Sequence, residues 1–113
     1  IERALTNLVS NAIRYTPEGG QITVSSRLAT GHDGQDWVII EVTDTGIGIP
    51  ADELAMIFDR FFRASNVSPT VPGTGLGLAI LRDIIELHGG KVEVESQEHQ
   101  GSTFRLWLPV LDS

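Results

Sequence analysis

Asn7 and Asn11 stand four residues apart in Asn7-Leu8-Val9-Ser10-Asn11, and Arg14 follows three residues later. On a helix this spacing puts all three on one stripe. A single Asn is ordinarily a solvated surface residue. Two on one face beside a cation suggest more: Mg²⁺ prefers oxygen ligands and keeps several waters, so one amide carbonyl plus phosphate oxygens makes a workable shell. A second candidate is Asp44, at the end of an alternating apolar run and before Thr45-Gly46-Ile47-Gly48-Ile49-Pro50. One reading is a turn-forming Asp that bonds its own backbone. The other is base recognition. An ionised carboxylate only accepts hydrogen bonds, so it suits the amino donor of adenine and not the carbonyl of guanine. Gly46 and Gly48 let a backbone approach a ring closely.

Two further strings bear on phosphate chemistry. Gly73-Thr74-Gly75-Leu76-Gly77-Leu78 lacks the Gly-Lys-Ser/Thr of a P-loop and the glycine spacing of a dinucleotide fingerprint. A glycine cluster is commonly a flexible loop, but this one opens a helix, where free N–H groups favour anions. Phe58-Asp59-Arg60-Phe61-Phe62-Arg63 combines aromatics at helical spacing, which usually means core, with two arginines.

The elements that position these residues can be read from periodicity. Ile1, Ala4, Leu5, Leu8, Val9 and Ala12 mark an amphipathic helix that Thr16-Pro17-Glu18-Gly19-Gly20 ends. Residues 21–28 and 37–43 alternate and read as a hairpin around a polar loop. Pro50-Ala51-Asp52-Glu53 starts a second helix, which Leu54, Ile57, Phe58 and Phe61 continue. Residues 66–74 are rich in Ser, Pro, Thr and Gly and read as a mobile loop. Residues 76–88 form a third helix, with Leu76, Ala79, Ile80, Ile84 and Leu87 apolar, stopped by Gly89-Gly90. Val92 and Val94, then Phe104, Leu106 and Leu108, mark a last hairpin. Antiparallel hairpins with packed helices give an α/β two-layer (α+β) sandwich.

At 113 residues the chain is long enough for one domain with its own core. No apolar run approaches the ~20 residues that span a membrane. There is no cysteine, so disulfide and thiolate chemistry are excluded. A net charge of −7 argues against nucleic acid and keeps the domain soluble. It also means that a nucleotide site must be locally positive, and the candidate cations are Arg14, Arg60, Arg63, Arg82 and Lys91. His32 and His99 lie in polar loops and His88 ends a helix; no His/Cys/Asp cluster suggests zinc.

Taken in order, the four strings resemble the N, G1, F and G2 boxes of the ATP-binding catalytic domain of bacterial sensor histidine kinases, over nearly the whole chain. The resemblance implies the Bergerat fold shared with gyrase B, Hsp90 and MutL, with a mixed sheet packed against helices. It implies ATP and Mg²⁺ as ligands, with Asn11 on the metal, Asn7 in support, Arg14 on phosphate and Tyr15 lining the nucleotide pocket. Asp44 takes the adenine amino group, flanked by Gly46, Gly48 and Ile49. Arg60 and Arg63 supply phosphate cations. Gly73, Thr74, Gly75, Leu76, Gly77 and Leu78 cradle the phosphates, and Thr103 lies near the adenine. Residues 66–74 become a lid that closes over nucleotide. Asn7, Asn11 and Arg63 are the catalytic group.

The same resemblance implies transfer of the γ-phosphate to a histidine on the phosphoacceptor dimerisation domain of the same kinase, and a downstream response regulator. None of the three histidines has the acidic neighbour on a helix that the family's acceptor has. Residues 1–113 are expected to be one domain of a longer protein, since Ile1 already belongs to the helical pattern; it is expected to be the cytoplasmic part of a membrane-bound sensor, with no direct membrane contact by this domain. ATPases of the same fold carry a glutamate where this chain has Asn7, which cannot act as a base. A module that only senses nucleotide is the remaining alternative.

Overall fold

The computed structural model describes residues 2–67 and 77–110, the first two of them by backbone alone. Helix α1 (Glu2–Tyr15) buries Ala4, Leu8 and Ala12 along one stripe, as the spacing of its apolar residues requires. The Thr16 hydroxyl donates back to the Ala12 carbonyl at 2.7 Å, and Pro17 follows, so the helix stops there. Strands β1 (Ile22–Thr30) and β2 (Asp36–Asp44) form the expected hairpin, one or two residues longer than the alternation suggested. Asp44 is thereby the last residue of β2.

Helix α2 (Gly77–Leu87) buries Ala79, Leu81 and Ile85. Leu87, assigned to the apolar face from sequence, is instead exposed at the helix end. Gly89, with φ of 79°, closes the helix, and Gly90 N–H donates to the Ile85 carbonyl at 2.9 Å. Strands β3 (Lys91–Gln97) and β4 (Gly101–Pro109) form the second hairpin.

The strand order is β1-β2-β4-β3, and each neighbouring pair is antiparallel. Over the described residues the sheet is therefore antiparallel throughout and not mixed. Both helices lie on one face, and the core there joins Leu8, Val42, Leu81, Ile85, Phe104 and Leu106. This is the two-layer arrangement of helices on sheet that the hairpins implied.

The segment after Pro50 departs from expectation. A six-residue 3-10 helix (Ala51–Met56) replaces the longer helix, and turns follow it. Phe58 packs edge-on against Phe104 at 6.4 Å. Phe61 does not share its face: its φ is 66°, and 69% of the residue is exposed. A left-handed residue reverses the chain, and the two residues after it, Phe62 and Arg63, turn back toward α1.

The sheet face away from the helices carries its own polar lattice. Arg105 Nε donates to Glu41 Oε2 at 2.7 Å, and its Nη1 lies 3.0 Å from Glu95 Oε1. Glu95, then Glu41, hold the guanidinium pKa above its ordinary value. Beside it, Trp107 stands edge-on to Trp37 at 6.0 Å and under the Lys91 ammonium at 4.4 Å. Arg105→Gln is expected to lower stability by about 1 kcal/mol, given the half-buried Glu41 bond and the exposed Glu95 bond. Thermal melts check this: the Tm drop should shrink in high salt, and a salt-independent drop would point to lost packing of the arginine stem instead.

Candidate nucleotide site

A cavity of about 340 Å³ opens where α1, the end of β2, the turn after it and the start of α2 meet. α1 contributes Asn7, Ser10, Asn11, Arg14 and Tyr15. The stripe of Asn7, Asn11 and Arg14, which lies beside the buried one, thus faces the cavity. β2 contributes Asp44, and the following turn Ile47, Gly48 and Ile49. The reversed segment adds Phe62, Arg63, Ala64 and Val67, and α2 adds Gly77 and Leu78. Ile57, Ser102 and Phe104 complete the lining.

Asp44 is 8% exposed and is one of two buried polar residues in the described structure. Its Oδ1 accepts the Gly46 N–H at 2.9 Å. Burial pushes the carboxyl pKa up from its ordinary value, and backbone N–H groups of Gly46 and Ser102 pull it partly back. The carboxylate is both a turn former and a cavity wall.

The turn after Asp44 is fixed on both sides. Ile47 N–H donates to the Tyr15 carbonyl at 3.2 Å, and the Ile47 carbonyl accepts His99 N–H at 2.7 Å. Ile49 N–H donates to Ser96 Oγ at 2.8 Å. Asn66 Nδ2 donates to the Gly48 carbonyl at 3.1 Å. Gly46 lies beside the cavity lining: a Cβ there would fall 2.3 Å from the Tyr15 carbonyl oxygen, so only glycine lets α1 approach this closely.

Several expected residues lie elsewhere. Arg60 pairs with Asp83 at 3.4 Å on the surface, since the turn at Phe61 separates it from Arg63. Arg82 sits over the Phe58 ring at 5.6 Å, and Lys91 is on the far face of the sheet. Among the described residues, Arg14 and Arg63 are the cations of the cavity. Thr103 also falls outside it: strand alternation turns it to the far face, where its hydroxyl meets that of Thr43 at 3.1 Å. Ser102 takes its place. Phe104 belongs to the core, so a period of two from Phe104 identifies Ser102 as the residue facing the cavity. Phe62 and Ile47 carried no comparable signal.

Gly73, Thr74, Gly75 and Leu76 lie outside the described residues, as do residues 68–74 of the expected lid. Asn66, assigned to the mobile loop, is anchored to the turn at Gly48, and Ser65 next to it is held by the Glu53 carboxylate at 2.8 and 2.6 Å.

A family profile described as histidine kinase-, DNA gyrase B- and HSP90-like ATPase matches residues 1–112. The chain belongs to this ATPase family. It is 40% identical to the sensor histidine kinase Hik2 of Synechocystis over 96% of its own length and 27% of that protein's. It therefore spans about a quarter of the curated relative it matches. Among solved structures it resembles the mycobacterial sensor histidine kinase MprB, with a TM-score of 0.78 and 35% identity over 95% of this chain and 70% of that one. Full-length ShkA, solved in complex with AMPPNP, matches with a TM-score of 0.73 and 32% identity, over 95% of this chain and 20% of that one. These are structures of the same ATPase family fold, and the antiparallel sheet with helices on one face is this chain's version of it.

Proposed function

We propose that the chain binds Mg-ATP in this cavity and transfers the γ-phosphate to a histidine on a separate phosphoacceptor dimerisation domain, as the catalytic domain of a longer, membrane-associated sensor kinase. The observation that carries the reading is chemical: one cavity unites an acceptor-only carboxylate (Asp44) with the cations Arg14 and Arg63 and the amide of Asn11, drawn from separate segments. That is the set of groups an adenine triphosphate needs at its two ends: an acceptor for the amino group and cations for the phosphates. The relative solved with AMPPNP, an ATP analogue, supports the same ligand.

Asp44 accepts the adenine amino group, while Gly48, Ile49 and Tyr15 shape the wall around the ring and sugar. Arg14 and Arg63 offset phosphate charge, and N–H groups at the start of α2, from Gly77, favour the anion. The described residues include no cluster of three His, Cys, Asp or Glu that could hold a metal alone. A Mg²⁺ that arrives on the phosphates needs only a neutral oxygen from the protein, and Asn11 fits that need. The ion, when bound, would offset phosphate charge during the transfer.

In the transfer, an imidazole nitrogen of the acceptor attacks the γ-phosphorus, the N–P bond forms, and the P–O bond to ADP breaks with its electron pair on ADP. The chain's contribution is positioning and charge stabilisation. The response regulator acts downstream of this step. Hydrolysis is disfavoured: among the described residues lining the cavity Asp44 is the one carboxylate, and Asn7 and Asn11 cannot take a proton from water.

Incubation with γ-labelled ATP tests the reading. The chain alone is expected to acquire no acid-labile label, and an isolated acceptor domain added in trans is expected to be labelled slowly, because the effective concentration of a tether is lost. Label on the chain alone, or none on the acceptor despite bound ATP, would overturn it.

A further inference from the structure

Ser96 does not line the cavity, yet its hydroxyl joins three groups around it. Ser96 Oγ accepts the Ile49 N–H at 2.8 Å, lies 3.0 Å from the Gly101 carbonyl, and lies 2.7 Å from Ser102 Oγ. A hydroxyl has one proton to donate. The Gly101 carbonyl can only accept, so the arrangement that satisfies every contact has Ser96 donate to Gly101 and Ser102 donate to Ser96. Ser102 is the ladder partner of Asp44, and both line the cavity. With its proton committed to Ser96, the Ser102 hydroxyl offers the cavity lone pairs only. Its neighbour, the ionised Asp44, likewise offers only acceptors.

We propose that Ser96 is a positioning residue for base selection: by holding the Ser102 proton it makes the wall at Asp44 and Ser102 acceptor-only, which admits a base with an amino donor and rejects one with a carbonyl. The proposal rests on the reading that the cavity takes a purine triphosphate. The adenine amino group has two N–H donors, and this wall offers acceptors from two residues. Hypoxanthine presents a carbonyl oxygen at the same place, which meets lone pairs. Without the Ser96 hydroxyl, the Ser102 O–H is released, can rotate into the cavity, and can donate to that carbonyl.

Calorimetric binding of Mg-ATP and Mg-ITP tests this on the 113-residue chain. ITP differs from ATP at the ring edge in question and lacks the extra amino group of GTP. The unaltered chain should prefer ATP. Ser96→Ala should lower the ATP-to-ITP affinity ratio about tenfold, the effect of one lost and one gained hydrogen bond. Ser96→Thr keeps the hydroxyl and should hold the ratio within about twofold. In a Ser102→Ala background, adding Ser96→Ala should leave the ratio where Ser102→Ala put it. A purely structural Ser96 would weaken both nucleotides by one factor, and an unchanged ratio in Ser96→Ala overturns the proposal. Should Ser96→Ala not fold, Ser102→Ala alone serves, since it leaves the Ile49 and Gly101 bonds of Ser96 in place; an unchanged ratio there is equally fatal. Failure of the unaltered chain to bind either nucleotide would sink the ATP reading itself, whereas ATP preference with a ratio insensitive to Ser96 sinks this inference alone.

Discussion

Asp44→Asn should weaken Mg-ATP binding by roughly tenfold to a hundredfold while the chain still folds. The substitution keeps the shape but exchanges an acceptor for an amide donor and removes the charge. Either a charge-assisted bond to the adenine amino group is lost or two amino groups face each other, a loss of roughly 1.5–3 kcal/mol. The Gly46 N–H keeps an acceptor, since the asparagine carbonyl can occupy the Oδ1 position. Stability should move in the other direction. Burial raises the Asp44 pKa above 3.8, so the native state binds a proton more readily than the unfolded chain does. Stability from this group is fully present below pH 3.8 and is lost as pH rises through the higher native value. At neutral pH the buried charge is thus a liability, and Asp44→Asn, which never ionises, should melt at or above the unaltered chain. The gap should close as pH falls toward 3.8. ATP affinity of the unaltered chain should fall over the same acid window, because the protonated carboxyl loses its acceptor-only character. Calorimetry and thermal melts across pH measure both. An ATP affinity unchanged within about twofold would make Asp44 a turn residue alone, and the base-pocket assignment would fail with it.

What could be read from sequence divides along a physical line. Asn7, Asn11 and Arg14 were legible because one helix carries them, and helical spacing alone places them on one stripe. Asp44 was legible because a strand end and a glycine turn are local features. Phe61 and Arg60 were misplaced because helical periodicity was extended through a residue whose φ is 66°; a left-handed phenylalanine has no compositional signature. The same reversal carries Phe62 into the cavity. Thr103 was misplaced by one position, although the strand period counted from Phe104 would have chosen Ser102. Ser96 could not be found this way at all. Its role arises where the tip of the β3–β4 hairpin meets the turn after β2, some 47 residues earlier in the chain, and no local pattern encodes that meeting. The Glu53–Ser65 and Asn66–Gly48 bonds are of the same kind, which is why Asn66 read as loop and proves to be anchored.

That meeting is also a place where a single methyl group should damage the fold. Gly48 has φ of 70°, and a Cβ there would fall 2.1 Å from the Gln97 carbonyl oxygen and 2.8 Å from Glu98 Cα. Two penalties combine in Gly48→Ala. The left-handed backbone costs a non-glycine residue roughly 1–2 kcal/mol. The clash is with backbone, so no rotamer relieves it, and the hairpin tip must move. Movement strains His99 N–H to Ile47, Ile49 N–H to Ser96 and Asn66 to Gly48 together. Overpacking of this kind adds roughly 1–3 kcal/mol, for an expected total of roughly 2–5 kcal/mol. Gly34→Ala separates the two penalties. Gly34 has φ of 80° but no atom within 4 Å of where its methyl would stand, so it bears the backbone cost alone. Urea denaturation of both variants should therefore show a loss at Gly48 exceeding that at Gly34 by the clash contribution. Nucleotide affinity should fall only in Gly48→Ala, because the displaced turn carries Ile49 and the wall next to Asp44 with it. Equal losses of stability would mean that the hairpin tip yields freely, and that the contact between Gly48 and Gln97 does not hold the base pocket in shape.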